Sequence, residues 1–348
     1  MLSITIDTAV FAPPPLDSKA EDVYSFVAAL LEWRDAMNEK RLDVYTSVYA
    51  PEVLGHADLY PIRPRLKDLL QQAAVFEYDA NTVATLAETI LNRSAKIEDI
   101  LRISDILVDD LTLHPDCFAS HSPAALRDEA QRCAAIVSLT SQYVEAPSLR
   151  CHAIAIRATD VGAAVRVRGI MLEIAHTRDD LGALPMSPAY FEGSTVVCSN
   201  FHQLLMTLDE VGIVRWAKTG AHVETAIKIG LYKRFAATPN PLIWEDLPDF
   251  ELNREFFASL QKHHVSSESA LAERVLLAVI ETICHEQLPA THALRKGEGG
   301  NAEQRMRGKD AAWRRDVDYE YHLHYWECAS GLVELGALVV HNDFSIPE

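Results

Sequence analysis

The sequence predicts an α+β protein: a helical N-terminal region, then mixed modules of strands and helices, closed at the C-terminus by an antiparallel hairpin. Three observations carry this. Apolar residues recur at helical spacing through most of residues 1–145, β-branched runs set in after Ala146 and Pro147, and ionisable and apolar residues alternate without a break from Asp316 to Tyr325. Helical and strand patterns that occupy separate stretches favour α+β packing.

In chain order, Leu2 to Phe11 alternates enough for a short strand, which Pro13, Pro14 and Pro15 end because proline cannot continue a ladder. Ser18 and Glu21 form a Ser-x-x-Glu capping box ahead of a helix to about Asn38, with Val23, Phe26, Val27, Leu30 and Met37 on one stripe. Further helices are expected at Arg63–Ala74, Asn81–Leu91 and Pro123–Val144, the last opened by Ser122 as cap and Pro123 in the first turn. Ile103 to Leu113 fits neither period and is open between strand and helix.

Leu149–Arg157 and Ala164–Ala175 read as a hairpin about Thr159, Asp160 and Gly162. A strand at Thr195–Cys198 is followed by a helix capped by Ser199 or Asn200, then by one from about His222 to Phe235. Thr238, Pro239, Asn240 and Pro241 are the clearest linker. Helices at Asp249–His263 and Ser269–Gln287 precede a Gly-rich basic loop and two strands about Gly331. The expected modules are 1–145, mainly helical; 146–238, α+β; and 241–348, α+β with the basic loop and the hairpin.

A net charge of −18 argues against bulk binding to nucleic acid or an anionic membrane. Residues 295–315 are the local exception. Arg295, Lys296, Arg305, Arg307, Lys309, Arg314 and Arg315 outnumber the three acids there. Six dispersed cysteines with no Cys-x-x-Cys pair fit a reducing cytoplasm and no disulfide framework. No apolar run approaches the ~20 residues of a membrane helix. Common nucleotide-binding glycine motifs are absent, so any ATPase would be a partner's.

The alternation at Asp316, Asp318, Glu320, His322 and His324 predicts a strand with five titratable groups on one face at ~6.6 Å intervals. If the return strand keeps apolar sides together, His324 faces Glu334 and His322 faces Gly336. His322, His324 and Glu334 then form a candidate divalent-metal site of hydrolytic character. Without a metal, His322 or His324 is a candidate general base, with Arg314, Arg315 or Arg305 gripping a phosphate. Arg295, Arg305, Arg307, Lys309, Trp313 and Arg315 are the candidate nucleic-acid contacts, Trp313 by stacking on a base. His263, His264, His285 and His292 read as helix-end residues, which the helix dipole favours. A solvated sheet face and a solvated basic loop explain the same residues without chemistry.

Trp313, Arg314 and Arg315, then His324, Tyr325 and Trp326, and Gly331 to His341 resemble the end of small RelE-like ribonuclease toxins. The resemblance spans a short C-terminal stretch and transfers no residue roles. The reading that follows is a cytoplasmic bacterial accessory subunit that docks with protein partners in a larger nucleic-acid-handling assembly, as in genome defence. A phosphodiesterase or nuclease working from the hairpin is the alternative, with catalytic candidates His322, His324, Glu334 and Arg314. An acidic mimic of nucleic acid ranks last, because the carboxylates are scattered rather than striped.

Overall fold

The computed structural model describes residues 2–143, 151–157, 162–177, 186–286, 289, 291–297 and 302–348, and its fold is α+β. Parts of several expected features, including Leu149, Thr159, Asp160, Gln287 and the loop glycines 299 and 300, lie outside the described residues. The chain divides into two compact units, Met1–Leu208 and Asp209–Glu348, where composition suggests three modules.

The first unit is built on a seven-stranded sheet, so residues 1–145 contribute four strands as well as helices. In chain order it holds β1 (Ser3–Ile6), α1 (Ala20–Asn38), β2 (Asp43–Thr46), α2 (Ala50–His56), α3 (Arg63–Gln72), α4 (Ala80–Arg93) and β3 (Ala95–Lys96). There follow α5 (Ile97–Leu101), β4 (Ile103–His114), α6 (Ala124–Tyr143), β5 (His152–Ala155), β6 (Ala163–His176), β7 (Ala189–Cys198) and α7 (Phe201–Thr207). The sheet order is β3-β2-β1-β5-β7-β6-β4, parallel from β3 to β7 and antiparallel beyond.

Local chemistry explains most boundaries. α1 buries the stripe Val23, Phe26, Val27, Leu30 and Trp33, but its box is one residue later than expected, with the Lys19 amide donating to Asp22 at 3.2 Å. Asn200 caps α7 by accepting from the Gln203 amide at 2.8 Å. β5 and β6 are not a hairpin: β5 lies between β1 and β7, and β6 pairs with β7 and β4. The reason is burial. All four β5 residues are buried, as the centre of a parallel sheet requires, whereas β6 alternates buried and exposed like a strand with one wet face. β4 resolves the ambiguity of Ile103–Leu113 as a strand whose register breaks repeatedly against β6, which is why neither period fits. α6 lies close on the sheet at Gly193, where a Cβ would come within 2.9 Å of the Ser138 carbonyl oxygen.

The second unit holds α8 (Glu210–Trp216), α9 (Gly220–Ala236), β8 (Phe250–Leu252), α10 (Arg254–Lys262) and α11 (Ser269–Ile283). Its remaining strands are β9 (Thr291–Ala293), β10 (Met306–Arg307), β11 (Asp310–Asp316), β12 (Tyr321–Glu327) and β13 (Val333–Val340). The order is β10-β11-β12-β13-β8, with β9 also on β11. Leu323, Tyr325, Leu335, Phe256, Leu260 and Val279 are among its buried core residues.

Candidate functional site

The alternating run from Asp316 to Tyr325 is a hairpin, not one strand. Asp318 breaks it: its carboxylate accepts from the amides of Glu320 at 2.8 Å and Tyr321 at 2.9 Å, while the Val317 amide donates to the Tyr321 carbonyl at 2.9 Å. An aspartate that ties its own backbone in this way closes a turn. Asp316 therefore ends β11 and stands opposite His322 on β12.

The return pairing also differs. His322 pairs with Val339 and His324 with Ala337, whereas Tyr325 pairs with Leu335 and Trp326 with Glu334. Gly336 is the extra residue of a β-bulge. A Cβ there would lie 3.0 Å from the His324 carbonyl oxygen and 3.1 Å from Ile346 Cγ1, so glycine fits the close approach. The bulge slides Glu334 along the strand, where it takes an ion pair from Arg307 and a 2.8 Å hydrogen bond from Asn253. Its carboxyl is held below the usual range, chiefly by Arg307. Glu334 is thus engaged elsewhere and does not join the histidines.

Paired residues of adjacent strands share a face. One row across the sheet is His292 on β9, Arg314 on β11 and His324 on β12; the next holds Asp316 and His322. His341, just beyond β13, lies against His322 with ring centroids 4.5 Å apart, and the His322 and His324 rings stack at 6.4 Å. The titratable face is real, but the two predicted histidines are its floor: both have 0% exposure.

A cavity of about 640 Å³ has His292, His341, Arg295, Arg314, Asn342 and Trp313 in its lining; His322 and His324 are not in the lining and reach it only through the His341 ring and the row shared with Arg314. His292 and His341 are exposed, and Arg314 forms no ion pair with a described residue. Arg295 donates to the Ala302 carbonyl at 2.7 Å and keeps its charge unpaired among the described residues. The cavity therefore offers two cations and two accessible imidazoles. His292 is not the helix-end residue that its sequence context suggests: it is part of β9. His341 is only the end of the return strand in the sequence, and no spacing there links it to His322.

The floor is electrostatically tense. Burial lowers the pKa of His322, opposed by Asp316 and assisted by Arg314, His341 and His292. Asp316 Oδ1 lies 2.9 Å from His322 Nε2 but outside hydrogen-bonding geometry, so neither ring nitrogen of His322 is satisfied by a described residue. Burial brings His324 down to about 4; its Nδ1–H donates to the Ser345 carbonyl at 2.7 Å and its Nε2 has no hydrogen-bond partner among the described residues. Unsatisfied buried nitrogens are rare and cost about 1–3 kcal/mol each. Burial therefore favours the neutral form of both rings.

The other basic candidates separate by partner. Arg315 points to the opposite side, buried, with Glu281 at 2.8 Å and the Glu286 carbonyl at 2.7 Å. Arg307 is held by Glu334 and Asp310 and lies over the Trp326 ring at 4.8 Å. Arg305 and Lys309 are not in the cavity lining. Among the described residues, the group of three ligand atoms close enough for a metal ion is Glu98, Glu129 and Cys133 in the first unit, not the hairpin. Arg132 already fills that group, ion-paired to Glu98 and, at 2.8 Å, to Glu129. No protein-family model, curated protein or solved structure matches this chain. No helix among the described residues is long and apolar enough to cross a membrane.

Proposed function

We propose that the C-terminal unit binds a single RNA strand and cleaves its phosphodiester bonds by histidine acid–base chemistry. The observation that carries this reading is the cavity in which exposed His292 and His341 meet Arg295 and Arg314. Guanidiniums grip a phosphate through charge-assisted hydrogen bonds. Trp313 alternates with Arg314 along β11 and so shares the side of Arg315, which takes its ring out of a stacking role. Paired imidazoles supply the rest. One removes the proton of the ribose 2′-hydroxyl, O2′ attacks phosphorus, the bond from phosphorus to O5′ breaks, and the other imidazole protonates the departing O5′. The products are a 2′,3′-cyclic phosphate and a 5′-hydroxyl. Arg314 offsets the charge that builds on the phosphoryl oxygens. His322 is a positioning residue that holds the His341 ring from below.

The burial of His322 and His324 favours a second reading, in which the same cavity holds a strand without cutting it and the chain serves as an accessory subunit of a nucleic-acid-handling assembly. Turnover separates the two. Labelled single-stranded RNA and its all-2′-deoxy analogue are incubated with wild type, His341→Gln and His292→Gln. The enzyme reading expects RNA alone to be cut, with at least a hundredfold loss in each variant, the low end of what a positioned acid or base contributes, roughly 10²–10⁴. Tight binding without cutting supports the accessory reading, and neither binding nor cutting sinks both.

A further inference from the structure

In the first unit the parallel strands run in the order β3-β2-β1-β5-β7. From β1 the chain builds outward through β2 to β3, and it returns to place β5 and β7 on the other side of β1. The carboxyl ends of β1 and β5 lie side by side at this reversal, and in open α/β sheets the crevice at such a point is where ligands bind. Here it is a cavity of about 500 Å³, within the size range of small-molecule sites.

Its polar lining is cationic. β1 runs into Asp7, whose buried carboxylate pairs with His121 and also accepts from the Ala9 amide at 3.2 Å. Phe118 holds the His121 ring edge to face at 5.4 Å. β5 runs into Ile156 and Arg157; the guanidinium of Arg157 donates to the carbonyls of Ala9, at 2.6 Å, and Ala12, which fixes it beside the opening. Arg65 donates to the Asp58 carbonyl at 2.7 Å. In both arginines Nε is buried with no hydrogen-bond partner among the described residues. Ser120 and Ser122 flank His121 in the lining, and neither hydroxyl is engaged by a described residue. Pro13, Pro14, Leu126 and Ile156 supply apolar wall.

We infer that this crevice binds a small anionic molecule with a phosphoryl or carboxylate end and an apolar or ring body, about the size of a nucleoside monophosphate. Two guanidiniums and two hydroxyls line the crevice for the anionic end, Arg65 with the exposed Asp58 carboxylate 3.9 Å away, and the proline-lined wall takes the body. Burial lowers the pKa of Arg157 to about 10, partly offset by Asp7 and Asp22, and a bound anion beside the guanidinium adds to that offset. Asp7 is the positioning residue that orients His121. This site is independent of the RNA reading of the other unit.

The test is thermal shift and calorimetry on the full chain with inorganic phosphate, each of the four nucleoside monophosphates, and benzoate. The expected result is a rise in the melting midpoint with at least one nucleoside monophosphate or with benzoate, larger than with phosphate. Arg65→Gln is expected to weaken that binding at least tenfold, and the double variant Ser120→Ala/Ser122→Ala several-fold. A response to the nucleotides alone assigns the phosphoryl end, and one to benzoate the carboxylate. No response to any of the anions overturns the inference. So does a response that survives both variants or that disappears in Arg314→Ala instead.

Discussion

Asp316 and His322 stand directly opposite each other on β11 and β12, with Oδ1 of one 2.9 Å from Nε2 of the other. The aspartate is half-buried and the imidazole fully buried, so the pair links the partly wet edge of the sheet to its interior. Asp316 opposes the loss of basicity that burial imposes on His322. Asp316→Asn is expected to lower the His322 pKa further, which histidine resonances followed through a pH titration read directly. An unchanged titration would show that the carboxylate does not act on the ring.

Neighbouring arginines have different roles. Arg314→Ala is expected to weaken RNA binding roughly tenfold to a hundredfold, since hydrogen bonds to charged groups contribute about 1.5–3 kcal/mol. It should also reduce the salt dependence of a single strand by about 0.7 in log–log slope for each phosphate that is no longer neutralised. Fluorescence anisotropy at several salt concentrations measures both.

Arg315→Ala instead strands the carboxylate of Glu281. Breaking a buried pair costs about 3–5 kcal/mol, and the partial exposure of Glu281 places the expected loss toward the low end of that range. Urea unfolding detects it. A variant of full stability and impaired RNA binding would reverse the two assignments.

Acid should destabilise the second unit through His324. Its folded pKa of about 4 lies below the ~6.5 of an unfolded histidine, so between these values the unfolded chain binds more protons. Stability is then complete above about pH 6.5 and falls as pH drops toward 4. His324→Asn should reduce the slope of urea midpoints across that window, the remainder coming from groups such as His322, whose pKa burial also lowers. The buried His152 of the first unit, brought down to about 3 by burial, adds its own slope through the same window and below it.

Gly336→Ala places a methyl group against the His324 carbonyl and Ile346. The expected cost is about 1–3 kcal/mol, typical of overpacking. An undiminished unfolding midpoint would mean that the bulge relaxes freely.

How far these features are legible in the sequence depends on the range of the interaction behind each. α3, α4, α6 and α9 follow their apolar stripes and caps to within a few residues, because those signals are local. The titratable face is legible in its residue types. Its register is not, since Asp318 closes a turn within the alternation and Gly336 shifts the return strand, and a one-residue slip reverses which side chains meet. His292 and His341 come to the cavity only through strand pairing across long sequence separations, which no spacing rule encodes. Residues 1–145 read as mainly helical because, after the strand expected at Leu2–Phe11, β2 and β3 are strands of four residues or fewer, too short for a periodic pattern to stand out.

The chemistry at the His292 and His341 cavity is tested most directly by the ends it leaves on RNA. Mass spectrometry of the products of a short single-stranded RNA should find a 2′,3′-cyclic phosphate on one fragment and a 5′-hydroxyl on the other, both absent with His341→Gln. Fragments ending in 3′-hydroxyl and 5′-phosphate, or RNA left intact, would contradict the account.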